Sequence, residues 1–278
     1  MVDPAVLRRF SGSALRYDAH AHAQRLSAAD LLRITRQALP ASPGCGDTAG
    51  EPAPKRGRAL KILEPGCGTG IYTRMLLDAF PGSSILGVDI SEAMVRVARS
   101  RIVDHRARFA VEDAEEATGG TYDLVSSNAT FQWFLSFDRT VRRMASMLTA
   151  GGALTFSFFG PGTYAELDAA MRESDDGSTG ARVAASAFLS REEIASTLSA
   201  VFPEWEIEDR RYRQEFPSLA ELLKSIRYTG TGGRGAPAAW SPGRLARIER
   251  AYRERHGGIS ATYQVFLCRG SSPEAGER

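Results

Sequence analysis

Short apolar runs alternate with amphipathic segments along the first 160 residues of the chain. The runs have the length and composition of buried strands, and the segments between them repeat apolar residues at helical spacing. Strands are predicted at Leu60–Leu63, Ile85–Ile90, Ala107–Val111, Tyr122–Ser127 and Ala153–Phe159, and helices at Ile71–Phe80, Glu92–Arg101 and Asp138–Leu148. Strands that alternate with helices indicate βαβ units and a parallel sheet.

The segments on either side of this region add helices and two more strands. Ala14–Leu39 is predicted to be helical, and Ser190 with Glu193 forms a capping box that begins a helix over Arg191–Val201. Further strands are predicted at Trp205–Phe216 and Ile259–Arg269, and further helices at Ser218–Tyr228 and Pro242–His256. We therefore predict a doubly wound, Rossmann-like α/β fold with a seven-stranded sheet, an antiparallel last strand and helical cap insertions.

The whole chain, residues 1–278, is predicted to be one domain. Residues 40–58 are rich in proline, glycine and small side chains, which is typical of a flexible linker. Residues 161–190 and 217–258 are predicted to be insertions that cap the site where substrate binds.

Composition favours an ordinary soluble protein. Apolar residues make up 43% of the chain, charged residues 24%, and the net charge is +2. The three cysteines are isolated, and their spacing does not match a metal site. We find neither a membrane-spanning apolar run nor a signal peptide, so we expect a cytoplasmic protein without a metal.

The segment Leu60–Gly70, LKILEPGCGTG, predicts a strand that runs through a glycine loop into a helix. Glycines at Gly66, Gly68 and Gly70 allow the backbone to approach a ligand closely. The third glycine comes one residue too early for a dinucleotide fingerprint, and the Lys-Ser/Thr pair of a P-loop does not follow. We interpret Cys67 as a small residue that fills the turn, rather than as a nucleophile.

Three carboxylates near this loop favour a ligand that carries positive charge. Asp89 ends the second predicted strand, where it can accept both ribose hydroxyls; alternatively it caps the following helix. Asp113 can accept from an adenine amino group or lie in a solvated turn. Glu64 can orient the glycine turn or the cationic methionyl group. The pattern therefore favours S-adenosylmethionine (SAM) over NAD.

The glycine loop and Asp89 together resemble those of the class I SAM-dependent methyltransferases. The segment Asp123–Phe134, DLVSSNATFQWF, resembles the S-N-A-x-x-Q-W segment that trans-aconitate methyltransferases share with the malonyl carrier-protein methyltransferases of biotin synthesis. The second of these families is also matched by Phe10 with Tyr17–Gln24, by Phe216–Gly230 and by Thr262–Val265. Residues 40–58 depart from the family pattern, and so does the order of the basic residues Lys224 and Arg227.

The resemblance implies roles for particular residues. The cofactor-binding set is Tyr17, Gln24, Glu64, Gly66, Gly68, Gly70, Asp89, Ile90, Asp113, Ala114 and Asn128. Asn128, Gln132 and Trp133 are the implied catalytic residues, which would orient a carboxylate beside the methyl donor. Lys224 or Arg227 would hold the malonyl carboxylate, next to Tyr228. A general base is not required, because a carboxylic acid with a pKa of roughly 4 is ionised at neutral pH.

The family implies malonyl-acyl carrier protein or malonyl-CoA as the methyl acceptor. The segment Trp205–Ser260 holds eleven Lys/Arg and seven Asp/Glu, so it could steer an acidic carrier protein or be a solvated face. The basic residues lack the interleaved aromatics of a nucleic-acid platform, and a monomer is expected. Two alternatives are a trans-aconitate-type methyltransferase of small carboxylates and a non-catalytic SAM-fold assembly factor.

Overall fold

A computed structural model describes residues 4–39, 59–116, 119–174, 182–231 and 240–273, and within them seven strands form one sheet. The strands are β1 (Lys61–Pro65), β2 (Ser84–Asp89), β3 (Ala107–Val111), β4 (Tyr122–Ser127), β5 (Leu148–Phe159), β6 (Glu204–Phe216) and β7 (Ile259–Ser271). Their order is β3-β2-β1-β4-β5-β7-β6. β7 runs antiparallel to both of its neighbours, whereas β1 to β5 are parallel. The predicted fold class is confirmed.

Ten α-helices connect and flank the strands within the described residues. They are α1 (Pro4–Ser13), α2 (Tyr17–His20), α3 (His22–Ala38), α4 (Ile71–Ala79), α5 (Glu92–Arg101), α6 (Phe137–Ser146), α7 (Ala165–Ser174), α8 (Arg191–Ser199), α9 (Leu219–Thr229) and α10 (Pro242–His256). The capping box is present, because Ser190 accepts from the Glu193 N–H and the Glu193 carboxylate accepts from the Ser190 N–H. The elements predicted after residue 60 are confirmed to within a few residues at each end.

The sheet is covered by helices on both faces. Ile62 and Leu63, consecutive in β1, are fully buried in two different apolar clusters. The cluster of Ile62 takes in side chains from α3, α4 and α5, and the cluster of Leu63 takes in side chains from α6 and α8. A parallel strand buried on both faces is a continuous apolar run, which is why these strands were predictable from sequence.

The single helix predicted over Ala14–Leu39 is wrong. The chain leaves helical geometry at Ala21, with φ −81° and ψ 41°, and three separate helices occupy residues 4–38. Phe10, Ala14 and Tyr17 pack with Met94 and Val97 of α5. This packing draws the first part of the chain across the edge of the sheet, so tertiary contacts override local helix preference. We call residues 4–20 the N-terminal segment.

The two predicted cap regions hold helices. α7 and α8 lie between β5 and β6, and α9 and α10 lie between β6 and β7. The predicted linker at 40–58 lies outside the described residues. Across the described part of the chain, every helix is too short or too polar to cross a membrane.

Candidate active site

A cavity lies at the carboxyl ends of β1 to β4. β1 and β4 are neighbours in the sheet, and the chain leaves them in opposite directions, which is where ligands bind in doubly wound sheets. Nine residues predicted from the sequence line this cavity: Tyr17, Gly66, Gly68, Asp89, Ile90, Asp113, Ala114, Asn128 and Trp133. The remaining lining residues are Phe10, Met94, Glu112, Ala129, Thr130 and Phe134. The fold therefore brings the N-terminal helices and the segments that follow β1, β2, β3 and β4 to one place.

The glycine loop passes directly beneath the cavity. The N–H groups of Gly66 and Cys67 both donate to the Val88 carbonyl, at 2.7 and 3.0 Å, which ties the loop to β2. Gly66 has a φ of +70°, and a Cβ there would lie 2.2 Å from Thr130 Oγ1. A Cβ at Gly68 would meet no atom of the described chain within 4 Å, so the backbone there is open to the cavity. Burial raises the pKa of the Cys67 thiol, which supports the interpretation of Cys67 as a turn-filling residue.

The Asp89 carboxylate is fixed by two main-chain hydrogen bonds. It accepts the N–H of Gly68 at 2.9 Å and that of Ser91 at 2.8 Å. The side chain that caps α5 is Ser91, which accepts the Met94 N–H, so Asp89 is not the cap. Burial raises the pKa of Asp89 to about 6 despite the two donors. A carboxylate has about four acceptor sites, so Asp89 retains capacity for a ligand in the cavity.

Glu64 lies behind the glycine loop and does not line the cavity. It is 1% exposed and accepts a hydrogen bond from Thr73 Oγ1 of α4 at 2.5 Å. Burial raises its pKa to about 8, and the nearby Asp89 contributes to this rise. Gly70 is also outside the lining, because it caps α4 with a φ of +87°. Both residues hold the loop in place from behind.

The loop after β4 is held by its own polar side chains. Asn128 Oδ1 accepts from Ser27 and Ser157 at 2.9 and 2.8 Å, and its Nδ2 donates to the Gln24 carbonyl at 3.0 Å. Gln24 therefore contacts the site through its main-chain carbonyl, and its side chain does not line the cavity. Ala129 has a φ of +53°, an unusual value for a residue other than glycine.

Gln132 also points into the protein. Its Nε2 donates to the Ala129 carbonyl at 2.7 Å, and its buried Oε1 has no hydrogen-bond partner among the described residues. Gln132 does not line the cavity, whereas its neighbour Trp133 does. The amide holds the strained turn at Ala129 and so positions the loop.

The N-terminal segment covers the cavity. The ring of Phe10 meets Trp133 edge-on at 5.5 Å and lies 6.4 Å from Tyr17. Asp18 accepts a hydrogen bond from Thr69 of the glycine loop at 2.6 Å and pairs with Arg101 of α5. Burial and the nearby Asp18 raise the pKa of Tyr17 well above its ordinary value. Tyr17 is therefore a neutral cover of the site.

Comparison with known proteins agrees with this geometry. A family model described as a methyltransferase domain matches residues 63–154, which contain the glycine loop, Asp89, Asp113 and Asn128. The chain is 31% identical to the malonyl-[acyl-carrier protein] O-methyltransferase of Bacillus cereus, over 96% of this chain and 97% of that protein. The chain belongs to the malonyl-[acyl-carrier protein] O-methyltransferase family.

One further relative supports the family, and one solved structure supports the fold. The malonyl-[acyl-carrier protein] O-methyltransferase of Geobacter sulfurreducens is 34% identical, over 74% of this chain and 81% of that protein. The crystal structure of the YcgJ protein from Bacillus subtilis is similar with a TM-score of 0.57, over 89% of this chain and 99% of that one. At 16% identity, the likeness to YcgJ concerns the fold alone.

The predicted substrate residues lie on α9, outside the lining of this cavity. Lys224 is half exposed and pairs with Glu221 on the same helix. Tyr228 stacks on His20 with ring centroids 4.8 Å apart and accepts a hydrogen bond from Arg16 at 2.7 Å. Arg227 is exposed on the same side of α9. In this family member, α9 therefore contacts the N-terminal segment that covers the site.

Sequence reasoning missed several lining residues. Ala129 and Thr130 stand between two predicted site residues, so their position in the loop was a usable signal. Met94 gave no such signal, because a methionine on the apolar face of α5 has the pattern of a core residue. Phe10 was part of the family pattern but was assigned no role.

Proposed function

We propose that the chain transfers a methyl group from SAM to the free carboxylate of malonyl-acyl carrier protein, forming the methyl ester early in biotin synthesis. The observation that carries the proposal is one cavity lined both by the Gly66–Asp89 pair and by the loop from Asn128 to Trp133. Family membership supports the same reaction, since the curated relatives bear its name.

The residues present fit SAM. Asp89 and Asp113 offer acceptors for the ribose and the adenine amino group, and the raised pKa of Asp89 indicates a carboxylate that a nearby cation would stabilise in its ionised form. Ile90, Met94 and Ala114 supply an apolar surface for a purine ring. Gly68 leaves room for close approach of a ligand to the main chain.

For this reaction the protein has to align the carboxylate oxygen with the methyl group and remove water from that oxygen. When bound, SAM supplies the electrophilic methyl group. The malonyl carboxylate is already ionised at neutral pH, with a pKa of roughly 4, so its oxygen can attack without a base. Trp133, Phe10 and Tyr17 enclose the cavity with aromatic surface and exclude water from that oxygen. Holding the carboxylate oxygen in line with the methyl group and the sulfur of SAM raises the rate of methyl transfer further.

Asn128 and Gln132 act on the loop that forms the acceptor side of the cavity. Asn128 ties the loop to α3 and β5 through Ser27 and Ser157, and Gln132 holds the carbonyl of Ala129. Gln132 is thus a positioning residue in this proposal, and Trp133 forms the wall. Lys224 and Arg227 remain candidates for an anionic part of the substrate.

Methyl transfer from labelled SAM tests the proposal directly. The acceptors are malonyl-carrier protein, malonyl-CoA and trans-aconitate, each in a separate reaction, and base-labile label is counted. We expect label on a malonyl thioester. Label on trans-aconitate alone would support the small-carboxylate alternative, and absence of label from all three acceptors would support a non-catalytic role.

A further inference from the structure

A second concave surface lies beside the cavity and carries three arginines from three different elements. Arg16 comes from the turn between α1 and α2, Arg96 from α5, and Arg227 from α9. Leu15, Val97 and Tyr228 complete its apolar and aromatic surface. None of the described residues that line it is acidic. We call it the arginine groove.

The three guanidinium groups are available to an anion. Arg16 donates to the Tyr228 hydroxyl at 2.7 Å and forms no ion pair with a described residue. Arg96 pairs with Glu92 of the preceding helical turn, and both side chains are about three-quarters exposed, so the pair is worth little in water. Arg227 forms no ion pair with any described residue. Arg16 and Arg227 therefore give the groove a positive charge that no ion pair with a described residue neutralises.

The arginine groove and the cavity share their walls. Phe10 and Tyr17 line the cavity, while five of the six residues between them line the groove, all except the buried Ser13. α5 likewise presents Met94 to the cavity and Arg96 to the groove. A molecule bound in the groove consequently lies against the same N-terminal segment and the same helix α5 that line the cavity.

Three arginines of α10 form ion pairs with glutamates. On α10, Arg250 and Arg253 pair with Glu254 and Glu249 at i,i+4 spacing, and Arg255 pairs with Glu173 of α7. Such pairs are typical of a solvated helix face. The concave surface beside α10 is lined by Glu173 and Glu254 as well as by arginines, whereas the described lining of the arginine groove has no acidic residue. The groove is therefore the stronger candidate for a docking surface.

We propose that the arginine groove docks the acidic surface of the carrier protein around the serine that bears its phosphopantetheine arm. The inference rests on the proposed function, because that function makes a carrier protein the substrate. Guanidinium groups bind carboxylates and phosphodiesters through paired N–H donors, which suits both the acidic surface and the phosphate of the arm. Leu15 lines the groove, is 86% exposed and offers an apolar contact. Arg227 then holds the carrier rather than the malonyl carboxylate.

Charge reversal at one arginine tests this inference. The variant is Arg96→Glu, and the matched control is Arg250→Glu on α10. Arg96 and Arg250 are 74% and 72% exposed, and each pairs with a glutamate four residues away on its own helix. Each variant is assayed with malonyl-carrier protein and with malonyl-pantetheine, which has neither the protein nor the phosphate.

We expect Arg96→Glu to raise the KM for malonyl-carrier protein at least about fivefold, since repulsion replaces attraction at a docking surface. Its kcat with saturating carrier and its activity on malonyl-pantetheine should match the unmodified protein. Arg250→Glu should change none of these values. An unchanged KM for Arg96→Glu, or an equal rise for Arg250→Glu, would refute the groove as the docking site. Failure of the unmodified protein with both malonyl acceptors would instead refute the proposed function.

Discussion

The Asp89 carboxylate accepts the main-chain N–H of Gly68 at 2.9 Å, so the end of β2 and the middle of the glycine loop form one unit. A second bond from the Ser91 N–H fixes the other carboxylate oxygen. The same side chain thus shapes the loop and faces the cavity. Loss of the Asp89 charge therefore weakens both ligand binding and the hydrogen bond that positions the glycine loop.

Asp89→Asn should weaken SAM binding by more than about tenfold, because the amide cannot accept from Gly68 and the ribose as a carboxylate does. Isothermal titration calorimetry measures the affinity, and urea unfolding of the same variant reports any damage to the fold. Asp78→Asn, at an exposed site on α4, is the control and should bind SAM normally. Unaltered affinity in Asp89→Asn would disprove the ribose assignment.

Glu64 should make the unliganded protein less stable as the pH rises. Its pKa is raised to about 8, above the value of roughly 4 in an unfolded chain, so the folded state holds the extra proton between these values. The free energy of unfolding therefore falls across that interval. Urea unfolding at pH 5 to 8 should show a fall at least about 1 kcal/mol larger in the unmodified protein than in Glu64→Gln.

The comparison with Glu64→Gln removes the contributions of the other titrating groups. Asp89 acts in the same direction up to its pKa of about 6, and the lowered pKa of His20 acts in the opposite direction. Asp89 and His20 are present in both proteins, so their contributions to the free energy of unfolding cancel when the two proteins are compared. Glu92→Gln, exposed at the start of α5, serves as the control and should leave the pH dependence unchanged. Parallel stability curves for Glu64→Gln and the unmodified protein would contradict the prediction.

Gly66→Ala should destabilise the fold by at least about 1 kcal/mol more than Gly82→Ala. Both glycines have positive φ, +70° and +86°, so both substitutions strain the backbone in the same way. Only at Gly66 would the added Cβ overlap a neighbour, Thr130 Oγ1 at 2.2 Å; at Gly82 it meets nothing of the described chain within 4 Å. Urea unfolding measures both variants, and equal losses would show that the close approach to Thr130 is unimportant.

Phe10→Ala should speed dissociation of S-adenosylhomocysteine by about tenfold, because it removes a ring that packs on Trp133 at the cover of the cavity. Stopped-flow fluorescence can follow the release, since Trp133 lies in the lining. Leu15→Ala is a control on the same segment, where the side chain is 86% exposed. Release at the unmodified rate from Phe10→Ala would show that the N-terminal segment does not retain the ligand.

The sheet and the cofactor side of the site were predictable because they follow from periodicity and topology. Apolar runs predicted β1 to β5, and parallel strands place their carboxyl ends at one edge of a sheet. Asp89, Asp113 and Asn128 were therefore expected together, and the structure brings all three to one cavity. The resemblance to a family added the role of Asn128, and the structure removed the alternative that Asp89 caps α5.

The cover of the site was not predictable from local sequence. The break at Ala21 and the position of Phe10 depend on contacts with Trp133 and Met94, about 80 to 120 residues away along the chain. The inward orientation of Gln132 was also hidden, because a loop has no repeating pattern that tells which side chains face a ligand. The sequence shows that Lys224 and Arg227 are basic, but it does not show that they lie outside the lining of the cavity.

The N-terminal segment supplies Phe10 and Tyr17 to the cavity and Arg16 to the arginine groove. The groove is therefore complete only while the segment lies over the cavity. Without this segment, the groove would offer a carrier protein only Arg96 and Arg227. Under the proposed docking, one segment therefore serves both substrates, because it covers the cavity for the methyl donor and supplies Arg16 to the carrier.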